Sequence, residues 1–96
     1  MIAKFDTVSA SPHQVYTTLG SETVVLEFQA GTYFGMDEVG TAVWNFLQQS
    51  RQVADVIEYV ASNYEVSAEV AETEILGFLQ NLVEKGLLVI EKTSVR

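Results

Sequence analysis

Apolar and polar residues change period once along this chain. Before residue 36 the pattern has period two. From His13 to Leu19, Val15, Thr17 and Leu19 alternate with Tyr16 and Thr18, the signature of a strand. From Thr23 to Phe28 a β-branched run puts Val24, Leu26 and Phe28 on one side. Thr32 to Gly35 reads as a third, short strand that ends at Met36. Gly20-Ser21-Glu22 and Gln29-Ala30-Gly31 are turns between these runs, so the three strands predict an antiparallel meander joined by hairpins. Ile2 to Val8 alternates only loosely and predicts an edge strand or an ordered arm. Ser9-Ala10-Ser11-Pro12 reads as a loop, because proline is excluded from central strands.

After Met36 the period becomes helical. Val39, Val43, Phe46 and Leu47 stand at i, i+4, i+7 and i+8, one face of a helix. Asp37 is positioned to cap it and to meet the positive end of its dipole. Trp44 is expected to close this helix onto the sheet. Gln48 to Gln52 is a polar linker. Val53, Val56, Ile57, Val60 and Tyr64 form the stripe of a second helix over Val53 to Tyr64. Ser67 caps a third, from Ala68 to about Lys85. Lys85 sits where a cation suits the dipole, and Gly86 suits the C′ position. Leu87 to Glu91 predicts a short strand or an apolar tail, and Lys92 to Arg96 a frayed end.

On a helical wheel of the third helix, Ala71, Ile75, Phe78 and Leu82 form the central stripe. Leu79, Val83 and Leu76 carry it round one flank, with Glu72 among them. This arc is wider than the roughly 100° that a one-sided surface helix needs, so the flank must meet another element or a partner.

At 96 residues the chain holds one domain, with a core over about 13–90 and an N-terminal arm over 1–12. Such a domain folds without a disulfide or metal. It has no cysteine, which excludes thiolate catalysis and Cys-ligated zinc. No apolar run reaches the ~20 residues of a membrane span. The first residues lack a basic head followed by an apolar block, so they do not read as a signal peptide, and the expected location is the cytoplasm.

Thirteen acids against five Lys and Arg give a net charge of −8, which repels nucleic acid and anionic lipid. His13 is the only histidine, at a strand start, and no phosphate-binding glycine spacing occurs, so neither an enzyme nor a cofactor or metal is expected.

Strands followed by three helices suggest an α+β, winged helix-turn-helix-like domain with a three-stranded antiparallel sheet. Many such domains bind DNA. Here the third helix carries Lys85 alone against Glu69, Glu72, Glu74 and Glu84, and phosphate contacts need bases. A DNA-binding regulator and a structural subunit of an enzyme complex remain the alternatives. Peptide binding by strand addition fits better: Thr32 to Met36 would present an unpaired edge, beside the broad apolar flank of the third helix. Acids near that groove would favour a peptide with Lys or Arg. A bare edge also allows a dimer, against an otherwise monomeric chain.

The ordered set Gly31-Thr32-Tyr33-Phe34-Gly35-Met36-Asp37-Glu38-Val39-Gly40, then Val43-Trp44 and Leu47, then Val53 to Ile57, Ile75 to Leu79 and Leu82 to Leu88, resembles the PqqD-like proteins. These are also called RiPP recognition elements, and the likeness is greatest to the stand-alone version found with lasso-peptide biosynthesis. In that family the first helix often opens with Leu-Asn; Met36-Asp37 supplies an equivalent apolar plug and cap. The resemblance implies a non-catalytic protein that binds the leader segment of a ribosomally made precursor. The leader would lie as an added strand against the third strand, in a groove shared with the third helix. The implied partners are a separate leader peptidase and a ring-forming cyclase, served in trans. Carried onto this chain, the strand wall is Thr32, Tyr33, Phe34, Gly35 and Met36. The helix wall, read from the wheel, is Glu72, Leu76, Leu79 and Val83.

Overall fold

The computed structural model describes residues 2–91, so the frayed end expected at 92–96 lies outside the described residues. Nine elements follow in order: β1 (Thr7–Ala10), β2 (Gln14–Leu19), β3 (Glu22–Glu27), β4 (Thr32–Met36), α1 (Glu38–Phe46), β5 (Arg51–Gln52), α2 (Val53–Asn63), α3 (Ala68–Glu84) and β6 (Leu88–Glu91). The meander and the three helices stand where the periodicity puts them, and the class is α+β.

The meander is an antiparallel sheet of order β2-β3-β4. Its register pairs Tyr16 with Val25 and Val25 with Phe34. Paired residues of an antiparallel ladder point to the same side, so Tyr16, Val25 and Phe34 share one face while Val15, Leu26 and Tyr33 share the other. The first face is the inner one: Thr23, Val25 and Glu27 are buried. α1 lies against it, with Trp44 fully buried and its ring edge-on to Tyr16 at 5.7 Å and 83°. Trp44 thus closes the helix onto the sheet, as its place in the sequence predicts. The more apolar face of β3, with Val24, Leu26 and Phe28, looks outward.

Asp37 caps α1, its Oδ1 accepting the Gly40 N–H at 2.9 Å, and Ser67 caps α3 by accepting the Val70 N–H at 3.1 Å. Each such cap stabilises by about 1 kcal/mol. Gly86 follows α3 at φ +78°, a left-handed conformation that favours glycine. Its N–H bonds the Val83 carbonyl, and that of Leu87 bonds Leu82, which ends the helix.

A second small sheet, of order β5-β1-β6, is the main departure from the sequence reading. Ser9 and Ala10 do not form a loop: they pair with Val89 and Leu88. The linker at 48–52 ends in the two-residue β5, where Arg51 pairs with Val8. Their polar, small-residue composition reads as loop because the pairing partners lie some 80 residues away for Ser9 and Ala10 and some 40 for Arg51, beyond any local pattern.

The arm before β1 is part of the fold. Ile2 and Val8 are buried in the main core cluster. α2 lacks a side-chain cap at Gln52; instead the Asp6 and Lys4 carbonyls accept the N–H groups of Val53 and Ala54 at 3.0 and 2.8 Å. No described helix is long and apolar enough to cross a membrane.

Candidate functional site

The position of β4 is set by the turn before it. Glu27, at the end of β3, is 5% exposed. Its Oε1 accepts the Ala30 N–H at 2.7 Å and its Oε2 the Gln29 N–H at 3.3 Å, while its carbonyl accepts the Gly31 N–H at 2.8 Å. The buried carboxylate is therefore satisfied by the turn it organises. β4 then runs alongside β3 and is last in the sheet. Among the described residues, the row of N–H and C=O groups on its other side has no strand neighbour, which is a template for a further strand.

Alternation along β4 sorts its side chains. Met36 is buried and Phe34 half-buried, both toward the helices, while Tyr33 is 71% exposed on the outer face. Phe34 meets Phe78 of α3, with ring centroids 6.3 Å apart at a 58° tilt. The Lys85 ammonium lies 6.0 Å from the centroid of the Phe34 ring. Phe78 thus reaches β4 from α3, and Lys85 from its C-cap.

Beyond Phe78 the space widens into a cavity of about 300 Å³ between the start of α1 and the first half of α3. Val39, Val66 and Val70 line it and are between 37% and 49% exposed. Asp37, Tyr64 and Glu74 supply its polar groups. Gly40 permits the approach of α1: a Cβ there would stand 3.1 Å from the Met36 Cβ and 3.4 Å from the Phe78 Cζ. Burial raises the Tyr64 hydroxyl above its ordinary pKa, and Tyr59, Glu38 and Asp37 push the same way. The phenol therefore stays neutral and able to donate throughout the physiological range.

The strand residues Thr32 to Met36 stand together at this edge. The helix residues expected opposite them do not. Leu79 is fully buried in the core, Leu76 and Val83 are half-buried against it, and Glu72 pairs with Lys4 of the arm at 3.4 Å. At ~100° per residue, all four lie at least about 100° round the helix from Phe78. The side of α3 turned to β4 is that of Phe78, with Lys85 following at the C-cap. Phe78 belongs to the central stripe of the wheel, so its rim position carries no local signal.

The outer face of the sheet is a second apolar surface. Val15, Leu19, Val24, Phe28 and Tyr33 are each at least 40% exposed. Antiparallel sheets with one solvated face ordinarily turn polar residues outward, and this one departs from that pattern.

The family model described as Coenzyme PQQ synthesis protein D (PqqD) matches residues 22–88. Among solved structures, the chain is similar to TbiB1 in complex with the TbiA(beta) leader peptide, at 29% identity over 91% of this chain and 99% of that one, with a TM-score of 0.78. It also shares the fold of a lasso peptide synthetase B1 complexed with the leader peptide, at 23% identity over 85% of this chain and 96% of that one, with a TM-score of 0.75. No curated protein matches.

Proposed function

We propose, on the premise that the chain belongs to the PqqD family, that it binds the leader segment of a ribosomally synthesised precursor peptide of the lasso type and acts without catalysis of its own. The observation that carries this reading is the unpaired edge of β4 beside the Phe34–Phe78 contact and the cavity beyond it, in a chain similar over nearly its whole length to a leader-peptide complex. The leader adds as a fourth strand along Thr32, Tyr33, Phe34, Gly35 and Met36. Backbone pairing supplies generic affinity, and the side chains directed at Phe34, Phe78 and the cavity supply choice. The groove's own titratable groups, Asp37, Tyr64 and Glu74, suit recognition of a peptide better than attack on one.

Presentation needs an acceptor, for which the resemblance points to a separate leader peptidase, with a cyclase downstream. The exposed outer face of β2, β3 and β4 is continuous with the strand that the leader would add. In this reading the peptidase docks there and meets domain and leader as one sheet.

The test is a fluorescence-polarisation titration of the protein with a labelled peptide copied from the N-terminal half of any small open reading frame beside its gene. Saturable binding that survives high salt, and is lost in Phe34→Asp with the fold retained, is the expected result. Binding only to duplex DNA, with affinity falling steeply as salt rises, would instead make the protein a regulator. Absence of both would leave a structural subunit.

A further inference from the structure

We propose that the cavity at the Met36 end of the groove is a charge-selective subsite, which takes a segment of the precursor where an apolar side chain stands beside a Lys or Arg. This rests on the leader-binding reading and adds the chemistry of the part bound outside the added strand. The cavity adjoins the end of β4: Gly40 and Phe78 line it, a Cβ on Gly40 would stand 3.1 Å from the Met36 Cβ, and the Phe78 ring meets that of Phe34. A peptide paired along β4 therefore runs onto it without leaving the surface. Its walls are apolar, and the partly exposed Val39, Val66 and Val70 are left for an incoming side chain to cover.

Its rim has one sign of charge. Asp37 and Glu74 line it, and Glu38 follows Asp37 on the first turn of α1. The field of Asp37 and Glu38 reaches inside, because both contribute, after burial and Tyr59, to holding the Tyr64 proton. The described cations are committed elsewhere. Lys4 pairs with Glu72, the Arg51 guanidinium lies 4.0 Å from the Phe46 ring centroid, and Lys85 lies over Phe34. No described ion pair involves Glu74. Among the described residues the groove is thus acidic at the start of α1 and basic at the Lys85 end. A cation beside the apolar anchor would meet complementary charge only at the first of these.

The experiment is a charge-reversal cycle. The labelled peptide from the neighbouring reading frame and a copy with its Lys and Arg residues changed to Glu are titrated against wild type and Glu74→Lys at low salt. Glu74 is exposed on α3, so the variant is expected to keep the wild-type melting curve. Expected is a loss of about threefold to tenfold for the parent peptide on Glu74→Lys, partial recovery with the charge-reversed peptide, and a smaller effect at high salt through screening. If wild type binds the parent peptide and Glu74→Lys binds both peptides with wild-type preference, the subsite is refuted while leader binding stands. A leader that binds but contains no Lys or Arg refutes it equally. If wild type binds neither peptide, the leader-binding reading itself fails.

Discussion

Glu27→Ala is expected to destabilise the domain by about 1–2 kcal/mol and to loosen the β4 edge. The carboxylate makes one short bond, to the Ala30 N–H at 2.7 Å, and one long one, to the Gln29 N–H at 3.3 Å. Hydrogen bonds to a charged group contribute about 1.5–3 kcal/mol, and the long bond adds little. Two effects reduce the loss: both amides belong to exposed turn residues that water can reach, and removing the carboxylate ends the cost of keeping a charge at 5% exposure. Glu27→Gln keeps one acceptor oxygen and should fall between the two, at about 0.5–1 kcal/mol. For a domain of this size each kcal/mol moves the midpoint by roughly 4–8 °C. Thermal and urea unfolding measure the loss, and amide exchange at Ala30 and in β4 locates it. Peptide affinity should fall in step, because an edge that fluctuates must be ordered before it can pair. If Glu27→Ala unfolds at the wild-type midpoint with unchanged exchange at Ala30, the buried carboxylate does not organise the hairpin.

Gly40→Ala sets a gain of about 1 kcal/mol in helix propensity against overpacking of about 1–3 kcal/mol, since its Cβ would stand 3.1 Å from the Met36 Cβ, an atom fixed to the backbone. Urea unfolding should show a net loss, and a more stable variant would refute the close packing. Leu79→Ala, at a fully buried position, should cost about 2–5 kcal/mol by the same measurement, whereas a pure groove residue would leave stability nearly unchanged. Val24→Asp, on the outer face at 40% exposure, should leave peptide affinity within about twofold but slow leader removal by the peptidase proposed to dock there. Equal processing rates would remove that face from consideration as the docking surface.

The local features of this protein are legible in its sequence. Asp37 and Ser67 cap helices, Gly86 ends one, and Gln29-Ala30-Gly31 turns the chain, because caps and turns are decided within a few residues by groups that reach their own backbone. The strand edge of the candidate site was legible for the same reason: a short last strand before a change of period is an edge by its place in the meander. The opposing wall was not. The wheel of α3 offers an arc broad enough to be rotated either way, and the choice fell to the core that buries Leu79, with the exposed Lys4–Glu72 pair adding little.

Alternation in β3 likewise separates Val24, Leu26 and Phe28 from Thr23, Val25 and Glu27, but period two is symmetric between the faces of a sheet. By composition the first set is the natural core. Tertiary structure buries the second, because Trp44 and α1 close over Val25 and the hairpin needs Glu27 beneath its turn. It also makes a strand of Thr7 to Ala10, whose partners come from the far end of the chain. The sequence by itself determined which residues are helix, turn and strand in the meander, since those choices are made by neighbours along the backbone. Which faces are covered, and therefore which apolar surfaces are left for a partner, was decided only when distant segments met.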